Sequence, residues 1–238
     1  MWNEVRGLRD GIDFGTPPRD GEPVTLTVDG VDVTVPEGSS VMLAATEADR
    51  AVPKLCATDM LEAFGSCRVC LVEIDGLRGY PASCTTLVAP GMVVRTQSDR
   101  LAELRKGVME LYLSDFPESE IPDGWSEFHQ ALEEIGINDH RYGKGQNHFD
   151  PPVDDSNPYF LFDPAKCIVC SRCVRACAEV QGTFALTIQG RGFESKVAAG
   201  MDESFMESEC VSCGACVQAC PSHALVEKSL FPGGYERA

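Results

Sequence analysis

Basic residues are scarce in this sequence. Only 20 Lys and Arg stand against 37 Asp and Glu, leaving a formal charge of −17 at pH 7. That field repels phosphate backbones and anionic lipid, which excludes nucleic acid and the membrane surface as partners. Aromatic residues make up 8% of the chain, too few for the stacking platform of a single-strand binder. No apolar run approaches the length of roughly eighteen residues that a membrane span requires. The opening Met1-Trp2-Asn3-Glu4-Val5-Arg6 leads into neither an apolar signal core nor a twin-arginine pair. Walker loops, nucleophile elbows and zinc-protease motifs are missing as well. Gly190-Arg191-Gly192 lacks the third glycine of a dinucleotide fingerprint and reads as a turn. His129, His140, His148 and His223 show no ligand spacing and read as surface or packing residues. A cytoplasmic chain with no catalytic site of its own, and no membrane insertion, is the expectation.

Cysteine, by contrast, is abundant: there are 12 in 238 residues. In a reducing compartment such a number points to metal ligands rather than disulfides. They fall into three groups, with none between Cys84 and Cys167. The last two groups are an internal repeat, Cys-x2-Cys-x2-Cys-x3-Cys, at Cys167–Cys177 and again at Cys210–Cys220. This is the run of bacterial ferredoxins that hold two [4Fe–4S] clusters, in which the fourth cysteine of each run ligates the other cluster. Three closely spaced cysteines wrap one cube, while the fourth lies on the following helix and points away. The expected ligand sets are therefore Cys167, Cys170, Cys173 and Cys220 for one [4Fe–4S] cluster, and Cys177, Cys210, Cys213 and Cys216 for the other. Zinc is the competing metal, but zinc sites pair short Cys-x2-Cys units and do not need this eight-cysteine duplication.

The first group, Cys56, Cys67, Cys70 and Cys84, has a glycine-softened loop, Phe64-Gly65-Ser66-Cys67-Arg68-Val69-Cys70, with a flanking cysteine on each side. Its spacing differs from the plant-type Cys-x4-Cys-x2-Cys, yet loop, pair and distant fourth ligand come in the same order. A [2Fe–2S] cluster is expected, with zinc as the alternative. Arg68 either offsets cluster charge or faces solvent.

Around these ligands the chain reads as α+β. Val24–Val28 and Val31–Val35 flank Asp29-Gly30, the pair that a type I′ hairpin turn favours. Ser39 or Ser40 then caps a helix bearing Val41, Leu43, Ala44 and Ala48. Strands near Cys70–Ile74 and Met92–Thr96 complete a small mixed sheet, suggesting a β-grasp ferredoxin. A helix from about Arg100 to Leu113, capped by Ser98 or Asp99, and another from about Ser126 to Ile135 follow. An extended Gly-, Asn-, Asp- and Pro-rich stretch then leads to Tyr159-Phe160-Leu161-Phe162, whose end is expected to be buried. The expected organisation is an N-terminal extension (1–22), a β-grasp [2Fe–2S] ferredoxin domain (23–97), a helical and extended connector (98–158), a bacterial-type double [4Fe–4S] ferredoxin domain (159–230) and a tail (231–238).

Several of these motifs are specific. Lys54-Leu55-Cys56-Ala57-Thr58-Asp59, Phe64 to Ile74, Pro81-Ala82-Ser83-Cys84-Thr85-Thr86, Asp155 to Phe160, Cys167 to Gly192 and Glu209 to Val217 resemble the N-terminal part of the α subunit of cytosolic NAD-dependent formate dehydrogenases. That family is similar in turn to the large iron–sulfur subunit of respiratory complex I and to the diaphorase subunit of NAD-reducing hydrogenases. The resemblance runs from about Asp13 to Ser229. It implies an electron-transfer subunit between a molybdopterin (Mo or W) catalytic subunit and a flavin/NAD-binding diaphorase subunit, with formate the favoured substrate of the assembly. A hydrogenase-type complex is the first alternative and a zinc-stabilised scaffold the second; a free enzyme would need catalysis by the chain alone. The connector departs from the family. Glu110-Leu111-Tyr112 is followed by Phe116 where the family places a cluster histidine, and no cysteine precedes Cys167. The additional [4Fe–4S] cluster of the family is therefore expected to be absent unless a partner supplies it; the family's molybdopterin catalytic domain is expected either on a separate polypeptide or, if the chain is a truncated or repurposed electron module, to be lost.

Overall fold

The computed structural model describes residues 13–117, 126–143, 151–231 and 233–235. The expectations for Met1–Arg6, for Glu118, for His148 and for the Gly- and Asn-rich part of the connector at 144–150 lie outside the described residues. The chain divides into two compact units, Met1–Leu101 and Ala102–Ala238.

The first unit is organised by the hairpin. Strands β1 (Pro23–Val28) and β2 (Val31–Pro36) pair antiparallel from Pro23 opposite Pro36 to Val28 opposite Val31. Asp29 and Gly30 both take positive φ, +47° and +80°, as a type I′ turn demands. The Asp29 carboxylate also accepts hydrogen bonds from Thr96 N (2.8 Å) and Thr96 Oγ1 (2.5 Å), tying the turn to the end of a later strand. Val24, Leu26 and Val28 alternate inward. They meet helix α1 (Val41–Glu47), whose first turn is closed by Ser40 Oγ accepting from Leu43 N at 3.0 Å. Strands β3 (Glu73–Ile74) and β4 (Val93–Arg95) complete a four-stranded sheet in the order β2-β1-β4-β3, with β1 and β4 parallel.

The strand expected over Cys70–Ile74 is shortened to its last two residues. Arg68 enters the left-handed region at φ +57° and curls the chain around its cysteines. Cys70 to Val72 then pair with the segment after Gly79, through Ser83 N to Cys70 O and Val72 N to Pro81 O. Ligand-loop geometry has overridden strand propensity here.

Helix α2 (Asp99–Ser114) is capped by Ser98, whose Oγ accepts from Leu101 N. In the second unit, helix α3 (Glu127–Ile135) is capped by Ser126 at one end and closed at the other by Gly136 at φ +76°. Strand β5 (Phe160–Phe162) is fully buried and pairs antiparallel with β8 (Leu225–Glu227). Strands β6 (Leu186–Gln189) and β7 (Lys196–Ala199) form a second antiparallel pair, and Gly190-Arg191-Gly192 lies in its connection, a turn as the sequence indicates. Helices α4 (Arg172–Arg175) and α5 (Ala215–Ala219) carry the third cysteine of each repeat. A π-helical stretch, Ala176–Gln181, continues α4 and carries Cys177. Among the described residues, no helix is long and apolar enough to cross a membrane.

Candidate metal centres

Cys56, Cys67, Cys70 and Cys84 come together in the first unit, each at most 2% exposed. Cys67 N donates to Cys56 Sγ at 3.5 Å, and the Sγ atoms of Cys70 and Cys84 lie 3.4 Å apart. Crowded thiols share protons unequally. The Cys67 and Cys84 thiols beside Cys56 hold it far below the usual thiol range, and the Cys84 thiol draws Cys70 down to about 7. Cys67 and Cys84 keep their protons, pushed up chiefly by the bond each makes to Cys56. A buried cage of four sulfurs, two of them already inclined to thiolate, is chemistry that iron completes by replacing the remaining protons.

The cage depends on a residue far from its motif. The half-buried Asp13 carboxylate accepts from Asp59 N (3.0 Å) and Gly15 N (2.8 Å) and pairs with Lys54 Nζ (2.9 Å), pinning the segment that bears Cys56. Burial raises its pKa, but the charge and hydrogen bond of Lys54 and the two backbone bonds outweigh that, so it stays below the usual carboxylate range. Only a contact across more than forty residues assigns Asp13 this work, so local sequence patterns do not reveal it. Arg68 is exposed and faces solvent.

In the second unit the eight cysteines divide between two recesses. One is lined by Cys167, Cys170, Cys173 and Cys220, with Phe162, Val197 and Leu225 behind them. The other is lined by Cys177, Cys210, Cys213 and Cys216, backed by Phe160, Leu186 and Phe205. Each repeat therefore sends its fourth cysteine to the other repeat's recess. The loops share a backbone device: positive φ at Val169 and Ser171 in one, and at Ser212 and Gly214 in the other. The curl aims Val169 N at Cys167 Sγ and Ser212 N at Cys210 Sγ, both at 3.4 Å. Burial pushes the thiols of Cys167 and Cys216 up to about 12 and raises those of Cys173 and Cys210.

The donor sets suit clusters. Among the described residues, no ionisable side chain other than the thiols lines either recess. Among the described residues, no three His, Cys, Asp or Glu side chains are arranged around a single metal ion. Four thiols at each recess are the ligand number that a [4Fe–4S] cube needs, a number that zinc also accepts.

Among the described residues, His129, His140 and His223 line neither recess. His129 is buried against the rings of Phe116 and Phe128, at 5.7 and 5.4 Å between centroids, with Nδ1 2.6 Å from Ser126 Oγ. Phe116 is itself 3% exposed and packs 4.8 Å from Phe128. The connector position that the family resemblance associates with a cluster histidine is thus part of an aromatic nest. Sequence reasoning also missed Arg172, a buried arginine whose two terminal nitrogens bind the two oxygens of Glu127 at 2.7 and 2.8 Å.

Residues 21–99 match the family profile of a 2Fe-2S iron-sulfur cluster binding domain, and residues 166–224 that of a 4Fe-4S dicluster domain. This is a protein of two ferredoxin-type domains. It carries one [2Fe–2S] and two [4Fe–4S] clusters. The chain is 38% identical over 214 residues to the NADP-reducing hydrogenase subunit HndD of Solidesulfovibrio fructosivorans, covering 86% of this chain and 36% of that protein. It is 38% identical over 195 residues to one of the subunits of the NADH-quinone oxidoreductase of Mycobacterium bovis, covering 79% and 24%. It therefore spans only about a quarter to a third of the length of these relatives. Among solved structures, a chain of the NAD+-reducing [NiFe]-hydrogenase in the H2-reduced state superposes with a TM-score of 0.75 at 28% identity, over 90% of each chain. Its two cluster-binding domains make the chain an iron–sulfur electron-transfer protein, similar to chains of NAD(P)-linked oxidoreductases.

Proposed function

We propose that this chain relays electrons between a metal-bearing catalytic subunit and a flavin-bearing NAD(P) diaphorase subunit in the cytoplasm. Cys56, Cys67, Cys70 and Cys84 hold the [2Fe–2S] cluster, within a domain spanning about 23–97. Cys167, Cys170, Cys173 and Cys220 hold one [4Fe–4S] cluster and Cys177, Cys210, Cys213 and Cys216 the other, within a domain spanning about 159–230. The observation that carries this reading is the division of eight cysteines between two recesses, each closed by the fourth cysteine of the other repeat. Bound clusters supply reversible one-electron chemistry. The chain's own residues keep water away from the sulfurs with Phe160, Phe162, Phe205 and Leu225. They aim backbone N–H groups at those sulfurs. By exchanging Cys177 and Cys220, they also lock the two cages at a fixed spacing.

A hydrogenase-type assembly is the catalytic context we favour, because the solved hydrogenase chain matches this one over nine-tenths of both. A formate dehydrogenase with a molybdopterin subunit is the second reading, carried by the motifs around Cys56, Cys67–Cys70 and Cys84. Anaerobic isolation of the native assembly tests both levels. The relay requires about ten iron atoms per chain, from one two-iron and two four-iron centres, together with signals from three reducible clusters in electron paramagnetic resonance. A zinc-loaded, colourless chain overturns it. Nickel in the copurifying subunit supports the hydrogenase context, and molybdenum or tungsten with a pterin supports the formate one.

A further inference from the structure

The two repeats are matched in cysteine but not in charge. Setting Cys167 on Cys210 pairs Lys166 with Glu209 and Arg172 with Ala215. In a chain that is acidic overall, two cations at one loop thus correspond to an acid and a methyl group at the other. Both cations are next in the chain to residues that line the recess of Cys167, Cys170, Cys173 and Cys220. Lys166 adjoins Cys167 and stands 5.0 Å over the ring of Tyr235. Arg172 lies between Ser171 and Cys173, two residues lining that recess, and is 3% exposed. Its partner Glu127 precedes Phe128, whose N–H donates to the carbonyl of Pro221 in the same lining. Arg175, between Cys173 of one cage and Cys177 of the other, discriminates less.

Anions are present on this side too. Glu127 binds Arg172, and the buried Asp163 carboxylate accepts from Ala165 N and Tyr235 Oη. Even so, Lys166 makes itself felt: after burial, its charge is among the causes that hold His129 and His223 below the ordinary imidazole value. The other cage is acidic by comparison. Asp154 accepts from Ser156 N and from the N–H of Phe205, which lines that recess, and Glu209 adjoins Cys210. Sulfur hydrogen bonding tilts the same way. Beyond the shared bond within each loop, Leu225 N donates to Cys220 Sγ at 3.5 Å and the Val197 backbone donates to Cys167. Reduction adds one electron to a cage, and cations and N–H donors stabilise that added charge. Exposure of Cys213 works in the opposite sense, since water also favours the more charged state. It affects one ligand, whereas the fixed charges and donors act on the whole cage.

We propose that Lys166 and Arg172, which contact no substrate, act as tuning residues that set the cage of Cys167, Cys170, Cys173 and Cys220 at the higher reduction potential. This rests on the proposed reading that both cages hold [4Fe–4S] clusters. An electron reaching the Cys177–Cys210–Cys213–Cys216 cage then leaves it, without a proton, and settles on its neighbour. The repeat itself supplies the variants: Lys166→Glu and Arg172→Ala write the second loop's residues into the first, and Glu209→Lys, at an exposed position, does the reverse. The full anaerobic holoprotein is titrated with dithionite while electron paramagnetic resonance follows each cube. Lys166→Glu should lower the higher of the two potentials enough to change its reduced-to-oxidised ratio at least about tenfold, which is 59 mV for one electron. Arg172→Ala should act in the same direction, and Glu209→Lys should raise the lower potential and narrow the gap. Two intact cubes whose potentials do not move, or a Lys166→Glu shift on the lower one, overturn the inference and leave the relay standing. A wild-type chain without two cubes removes the relay and the inference together. Because Arg172 is buried and paired, Lys166→Glu and Glu209→Lys decide the matter should that variant fail to fold.

Discussion

His129 is a residue whose neighbourhood, rather than its type, decides its behaviour. Burial beside Phe116 and Phe128, with His223 and Lys166 adding to it, holds its pKa at about 4, below the ordinary 6.5. The folded chain keeps the ring neutral where the unfolded chain binds a proton. Its contribution to stability is therefore complete above about pH 6.5 and drains away as the pH falls toward 4. His129→Phe keeps an aromatic ring in the nest and removes the titration. The wild type should lose more stability than the variant between pH 6.5 and pH 4, by a difference on the order of 2 kcal/mol. Denaturant unfolding at stepped pH measures this, and parallel curves for the two proteins would refute it. The cysteines, by contrast, were legible at the residue scale because their spacing encodes their geometry: Cys-x2-Cys-x2-Cys closes a loop whatever surrounds it. Asp13 and Arg172 were not legible. Their partners, Asp59 and Lys54 for one and Glu127 for the other, lie more than forty positions away.

At the scale of elements, signals contained within a few residues were readable and signals needing a distant strand were not. Asp29-Gly30 specified its turn, and Ser40, Ser98 and Ser126 each capped the helix that follows. The segment Cys70–Ile74 looked like a strand, yet most of it pairs with Pro81–Ser83 because the ligand loop turns at Arg68. The π-helical stretch at Cys177 carries no sequence mark either, since a widened turn follows from where its cysteine must reach. Gly190 gives a prediction at this scale. It sits at φ +74°, and a Cβ there would collide with the backbone carbonyl of Glu194. Backbone cannot yield as a flexible side chain can, so Gly190→Ala should cost about 1–3 kcal/mol. Amide exchange should accelerate along β6 and β7 while β1 and β2 keep their protection. Unchanged exchange in Leu186–Ala199 would show that the connection tolerates the methyl group.

Across the whole molecule, the two units depend on their metals to different degrees. The first has an apolar core in which Leu26, Val28, Val41, Leu43 and Val94 pack beneath a four-stranded sheet, with two of its four cysteines, Cys70 and Cys84, among the members. In the second, cysteines are part of the core: Cys173, Cys177 and Cys216 are buried with Phe160, Phe205 and Leu225, and Cys167, Cys210 and Cys220 pack against them. Its two sheets have two strands each, a size that is marginal without further support. Once iron is removed, the cages lose their cross-links, and eight sulfurs that repel as thiolates or sit protonated around two recesses no longer bind the repeats together. Stripping iron anaerobically with a chelator should therefore abolish amide protection in β5, β6, β7 and β8, while β1, β2 and α1 remain protected. Restoring ferrous iron and sulfide should bring the lost protection back. If β5 and β8 stay as protected in the stripped chain as in the loaded one, the apolar residues behind the recesses hold that unit together by themselves, and the clusters add redox chemistry without adding structure.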